Sequence, residues 1–169
     1  MPTTYEAIAT VTVGSGGAAS IEFTSIPGTY TDLLIKLSVR DNQSGATGND
    51  NAINFNGSAT SFTGRRIYGN GATVNNDTVA PYAGSSTSAG TTASTFSNTE
   101  IYIPDYAGSN NKSFSVDSTV ENNATTAYAI LYAGLWSNTA AITSVKIVRP
   151  STFDFVQYST ATLYGIKNS

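Results

Sequence analysis

Neither histidine nor cysteine occurs in the 169 residues, and the two absences together remove most of the ordinary catalytic repertoire. Ser-His-Asp triads, thiol nucleophiles and Cys/His zinc sites are excluded, and with them the commonest general base. Disulfides are excluded as well. Charge is scarce, since Asp, Glu, Lys and Arg make up 11% of the chain where a typical globular domain carries about a quarter. The surface must therefore be polar through hydroxyls and amides. A net charge of -3 gives no electrostatic reason to approach phosphate, because nucleic-acid binding draws its affinity from Lys and Arg displacing counterions. The one basic pair, Arg65-Arg66, is too small to alter that expectation. No stretch reaches the roughly 18 apolar residues of a membrane helix. The start, MPTTYEAIATVTVGSGG, lacks both the positive flank and the apolar run of a signal peptide. The expectation is a protein with neither a nucleic-acid nor a membrane partner, made in a cytoplasm without a Sec signal.

Carboxylates are what remains for catalysis. A glycosidase needs two of them about 5 to 9.5 Å apart in a cleft, and here the Asp and Glu residues are scattered singly. The reading is of a protein that is not an enzyme and takes no cofactor. Asp41-Asn42 and Asn49-Asp50-Asn51 could gather oxygens around calcium, but their spacing is not that of an EF-hand. Asx-turn chemistry, in which a short side chain caps its own backbone, is the favoured alternative. Sequons at Asn42, Asn56, Asn76, Asn111 and Asn123 are expected by chance in a chain this rich in Asn, Ser and Thr.

What the chain does have is alternation. Successive strand side chains point to opposite faces, and Leu33, Ile35, Leu37 and Val39 alternate with polar neighbours after the turn SIPGTYTD. Tyr5 to Val13 places Tyr5, Ala7, Ala9, Val11 and Val13 on one face, and Gly14-Ser15-Gly16-Gly17 before Ala19 to Thr24 reads as a hairpin. Phe114, Val116, Ser118 and Val120 share a face of Lys112 to Glu121. In Thr126 to Trp136 both faces are apolar, which predicts a central strand or one covered by another subunit. Further strands are expected at 52–56, 95–103, 142–148 and 161–166, with 42–51 as loop. No window carries helical spacing. Eight or nine short strands with Gly/Asn turns predict an all-β, single-domain antiparallel β-sandwich spanning 1–169, of the jelly-roll type.

Residues 57–93 read as a long polar loop or insertion, and long loops are disproportionately functional. Tyr68 and Tyr82 within it are candidate partner contacts, as loop aromatics make rigid contacts at little entropy cost. Arg65 and Arg66 lie beside them. Leu131, Leu135 and Trp136, from the strand with two apolar faces, complete the candidate set.

Three stretches carry a resemblance: SIPGTYTDLLIKLSVRD at 25–41, ITSVKIV at 142–148 and TATLYGIKNS at 160–169. Together they resemble a group of small virion proteins of tailed bacteriophages, especially those of aquatic hosts, which share a similar "IPxTYTDL" turn and strand and finish on a similar "LYGI" strand. The match covers both ends of the chain; Gly45 to Ala93 lies outside it. The resemblance implies a β-sandwich module on the virion surface, either a capsid cement or decoration protein or a tail or fibre appendage. Under the first reading the partners are the major capsid protein and other copies of the chain in a homotrimer. Under the alternative the partner is a host receptor or glycan.

Overall fold

Leu33, Ile35, Leu37 and Val39 do form one fully buried face. The computed structural model describes residues 4–123, 126–150 and 152–167. The first three residues, the Ala124-Thr125 half of the Asn123 sequon, Ser151 and the last two residues of TATLYGIKNS lie outside the described residues. The strands are β1 (Tyr5–Thr12), β2 (Ser20–Phe23), β3 (Asp32–Ser38), β4 (Gly48–Asp50), β5 (Ala52–Phe55), β6 (Phe62–Gly69), β7 (Val74–Thr78), β8 (Ser85–Thr87), β9 (Asn98–Ile103), β10 (Lys112–Val120), β11 (Tyr128–Trp136), β12 (Val145–Val148) and β13 (Thr160–Ile166). Among the described residues there is no helix. The chain is all-β, and its strands pair antiparallel.

Eight strands form one sheet in the order β1-β13-β3-β9-β10-β11-β6-β7. A three-stranded sheet, β2-β12-β5, and the two-stranded ribbon β4-β8 lie against one of its faces. Between the layers, Ile101, Phe114, Val116, Tyr132 and Leu163 of the large sheet meet Ile21, Phe23, Ile53, Phe55 and Ile147 of the small one. Phe55 is the hub. Its ring centroid lies 5.5 Å from those of Phe62, Phe114 and Trp136, and such aromatic pairs add about 0.5–1.5 kcal/mol each beyond their buried area. The sheets are unequal, and this strand order establishes a two-layer β architecture without assigning it to the jelly rolls.

Several local expectations are corrected. β1 and β2 do not form a hairpin: β1 pairs with β13 in the large sheet and β2 with β12 in the small one, so Gly14 to Gly17 carries the chain from layer to layer. A bulge between Ala7 and Ala9 shifts the β1 register, and Ile8 rather than Ala7 or Ala9 packs on the core with Val11. An extra residue in one strand reverses the facing of everything before it. Residues 57–93 are not a long loop, since they hold β6, β7 and β8. The low hydrophobicity there reflects strands with a solvated face. Likewise 42–51 contains β4.

Gly64 and Gly134 face each other across β6 and β11. A Cβ on Gly64 would overlap the Tyr132 ring, and one on Gly134 would overlap the rings of Phe114 and Tyr132. The glycines are required because two aromatic rings fold flat over the backbone here, a close approach for which strand glycine is the usual solution. Gly64→Ala is expected to force Tyr132 from its seat and cost about 1–3 kcal/mol, read as a lower urea midpoint at unchanged slope.

Candidate functional site

The candidate partner residues separate onto two surfaces, because neighbouring residues on a strand point to opposite faces. Arg65 and Arg66 are adjacent in β6 and end up on opposite sides of the large sheet.

The outer face, which neither the small sheet nor the ribbon covers, receives Arg65, Leu131 and Leu135. Leu131 is directly opposite Ile67 in the β11–β6 register, and the two are 62% and 58% exposed. Asp117 flanks Leu131 from β10, while Val74 extends the apolar surface along the β7 edge at 79% exposure. Two shallow concavities sit here. One of about 350 Å³ is lined by Arg65, Ile67, Asp117 and Leu131, and its neighbour, of about 480 Å³, by Thr63, Arg65, Thr78 and Leu135. The outward face of an antiparallel sheet is ordinarily polar, so adjacent exposed Leu and Ile side chains depart from the pattern.

Trp136 and Tyr82 are corrections. Trp136 is 1% exposed and packs on Phe55 and Phe62, because its parity on β11 is that of Ile130 and Tyr132. Tyr82 is 0% exposed, its ring 5.1 Å from that of Tyr132. Neither side chain reaches the surface, so neither is a partner contact in this fold. Position in a polar stretch misled here: Tyr82 plugs the core beneath the β4-β8 ribbon.

On the inner side of β6, Arg66 organises the second surface. Its Nε and Nη2 donate to Asp77 at 2.9 and 2.6 Å, and its Nη1 donates to both oxygens of Asp50 at 2.9 and 2.8 Å. Its guanidinium carbon lies 4.9 Å from the Tyr68 ring centroid and 5.1 Å from that of Tyr82. Burial pulls the Arg66 pKa down, but the hydrogen bonds to Asp77 and the charge of Asp50 outweigh it and leave it raised. In return, hydrogen bonding from Arg66 holds the Asp77 carboxyl below the usual carboxylate range. Ser85 Oγ donates to Asp50 at 3.1 Å. Gly48, Asp50, Arg66, Tyr68, Ser85 and Tyr128, with Ile130, line a cleft of about 180 Å³ where the β4-β8 ribbon meets the β6 end of the large sheet.

No protein-family model, curated protein or solved structure matches the chain. The chemistry of these two surfaces therefore carries the functional reading. Of the residues singled out from the sequence, Arg66 and Tyr68 line the cleft, with Tyr82 buried behind Arg66, and Arg65, Leu131 and Leu135 meet on the outer face. Asp77, Tyr128 and Ile67 were missed, and Asp50 was weighed only as an oxygen donor to calcium. One signal pointed toward Asp77: Asn70-Gly71 between two polar-apolar runs is a hairpin sign. That sign marks the hairpin but not its register: the loop runs from Asn70 to Thr73 and sets Arg66 opposite Asp77, where a two-residue turn would have set Asn75. Asp50 had no comparable local signal, because its pairing with Arg66 joins different sheets.

Proposed function

We propose that this chain is a structural protein of a virus particle, a capsid cement or decoration protein that bridges capsomers as a symmetric oligomer, a homotrimer. The supporting observation is the outer face of the large sheet, where Leu131 and Ile67 lie side by side and uncovered. Contiguous exposed apolar surface with a polar rim marks interaction sites on soluble proteins, and Arg65 and Asp117 supply that rim. The sequence resemblance to small phage virion proteins supplies the setting. A surface poor in charge and rich in hydroxyls suits a protein exposed to varied ionic conditions. Cementing works by multivalency: an interface near the standard ~1,600 Å² spans micromolar to picomolar affinity according to its anchors, and three linked sites add orders of magnitude.

The test is binding to capsids depleted of this protein, with oligomeric state read by sedimentation. The wild type should sediment as a trimer at micromolar concentration, saturate the capsids at hundreds of copies and raise their resistance to heat. Leu131→Asp should abolish capsid binding while changing folding stability by no more than about 0.5 kcal/mol, as exposed substitutions do. A monodisperse monomer that leaves depleted capsids bare would overturn the proposal. So would a handful of copies per particle, which is the stoichiometry of a tail appendage.

A further inference from the structure

We infer that the cleft between the β4-β8 ribbon and β6 is a binding site for a neutral, polyhydroxylated ring, the pyranose unit of a saccharide. The inference stands apart from the outer-face proposal, since the cleft opens on the other side of the large sheet. Three observations carry it: the shape of the cleft, its charge, and the polar atoms it leaves available.

Its volume of about 180 Å³ is below the roughly 300–1,000 Å³ of sites for drug-sized ligands, and fits one ring. Tyr68 and Tyr128 stand 6.5 Å apart between ring centroids and are inclined at 56°, forming an angled aromatic corner with Ile130 behind it. The C–H face of a sugar ring is apolar and flat enough to lie on such a corner, while its rim of hydroxyls needs acceptors and donors close by. Asp50 provides the acceptor. Its side chain is 45% exposed, and while Oδ1 already accepts from Arg66 and Ser85, Oδ2 accepts only from Arg66 and keeps lone-pair capacity for a ligand hydroxyl. The phenol hydroxyls of Tyr68 and Tyr128 make no hydrogen bond to the described residues, so both are open to a ligand.

The charge pattern selects the class. Among the described residues Arg66 is the sole cation lining the cleft, and its Nε, Nη1 and Nη2 are already engaged by two carboxylates. Arg66, Asp50 and Asp77 together carry a net charge of about -1. An anionic ligand would meet Asp50 with no free cation to offset it, and is disfavoured. A neutral ring that donates hydroxyls to Asp50 draws on a charge-assisted hydrogen bond and leaves the ion pairs in place. Arg66 is then a positioning residue: held over the rings of Tyr68 and Tyr82, it keeps the Asp50 carboxylate turned toward the cleft.

The experiment is a titration of the isotope-labelled full chain by two-dimensional amide NMR with the methyl glycosides of glucose, galactose, mannose and N-acetylglucosamine. Glucuronate and glucosamine serve as the charged probes. At least one neutral glycoside should shift the amides of Gly48, Tyr68, Ser85 and Tyr128 with a dissociation constant of about 1–10 mM, the range of a single-ring contact. Glucuronate should bind about fivefold more weakly or worse through repulsion between its carboxylate and the like charge of Asp50. Asp50→Asn, which keeps the side-chain shape and leaves Arg66 bonded to Asp77, should weaken binding about tenfold. Tyr128→Leu, which keeps apolar bulk and removes the flat face and hydroxyl, should do the same, and Leu131→Asp on the outer face should leave binding unchanged. Melting curves establish that each variant is folded. No shift with any glycoside at about 20 mM, shifts located elsewhere, retention of binding in folded Tyr128→Leu, or binding of glucosamine alone would each overturn the inference; the last would mark a cation site.

Discussion

Asp41→Ala should lose about 3–5 kcal/mol of folding stability, the cost of leaving a buried charge without its partner. Asp41 and Arg149 are both buried, with Arg149 Nε 3.7 Å from the carboxylate. Asp41 accepts hydrogen bonds from the Gln43 backbone N–H at 3.0 Å, from Asn49 Nδ2 at 3.1 and 3.0 Å to its two oxygens, and from Ser86 Oγ. The bond from Gln43 is the Asx turn expected from the sequence, yet the carboxylate does more than cap a turn. Arg149 in turn donates to the Asp50 carbonyl at 2.7 Å and to Gln43 Oε1 at 3.3 Å, so one network fastens the β4-β8 ribbon to the end of β3 and the segment after β12. Burial lowers the Arg149 pKa, and the charges of Asp41 and Asp50 offset only part of that. Without Asp41 most of that compensation is gone. Since domains of this kind are stable by only about 5–15 kcal/mol, the variant should show a large drop in its denaturant midpoint. The double replacement Asp41→Leu with Arg149→Met should recover much of the loss, because it removes both charges. A single-variant cost below about 1 kcal/mol would mean that water reaches the pair and that the network is not what holds the ribbon.

Raising the pH from 10 to 12 should unfold the protein or bring it close to unfolding. Burial pushes the phenols of Tyr82 and Tyr132 up to about 12 from a usual value of 10.0. For Tyr82 the hydrogen bond with Ser85 works against that rise and the charge of Asp50 adds to it; for Tyr132, Tyr82 adds to it. In the unfolded chain both ionise near 10; in the folded chain both stay neutral to about 12. The folded state therefore holds more protons across that interval and stability falls as pH rises. The contribution is complete below pH 10 and lost by about pH 12, at up to about 2.5 kcal/mol for each phenol. Tyr30, Tyr102 and Tyr106 are shifted in the same sense. The tyrosinate absorbance of Tyr82 and Tyr132 should appear only as the fold is lost. Tyr132→Phe separates the causes. The Tyr132 hydroxyl is buried without a hydrogen-bond partner among the described residues, so the variant should be neutral or stabilising at pH 7 and should remove about half of the alkaline loss. Tyrosines that titrate together near pH 10 in a still-folded protein would refute the account.

The residues legible in advance were those whose environment their immediate neighbours dictate. Leu33, Ile35, Leu37 and Val39, and Phe114, Val116, Ser118 and Val120, repeat at period two without interruption, and each set lies on a single buried face. β11 read as a central strand or one covered by another subunit because both its faces are apolar, and it lies between β10 and β6. Residues 57–93 failed for a complementary reason: β6 and β7 are rich in Gly, Thr and Asn, and β6 owes its strand form to pairing with β11, a partner some sixty residues away in sequence, while β7 in turn pairs with β6.

By itself, then, the sequence determined that this protein is all-β, that it lacks imidazole and thiol chemistry, and which side chains share a face, because all three depend only on composition and on the two-residue period of a strand. Tertiary structure alone decided which of two faces is covered. It sent Arg65 outward and Arg66 inward, buried Tyr82 and Trp136, placed Asp50 beside Arg66 and left Leu131 and Ile67 in the open. Those outcomes follow from strand order and register, set by hydrogen bonding between segments far apart in the chain, and a local alternation of polar and apolar residues is the same whichever partner a strand finds.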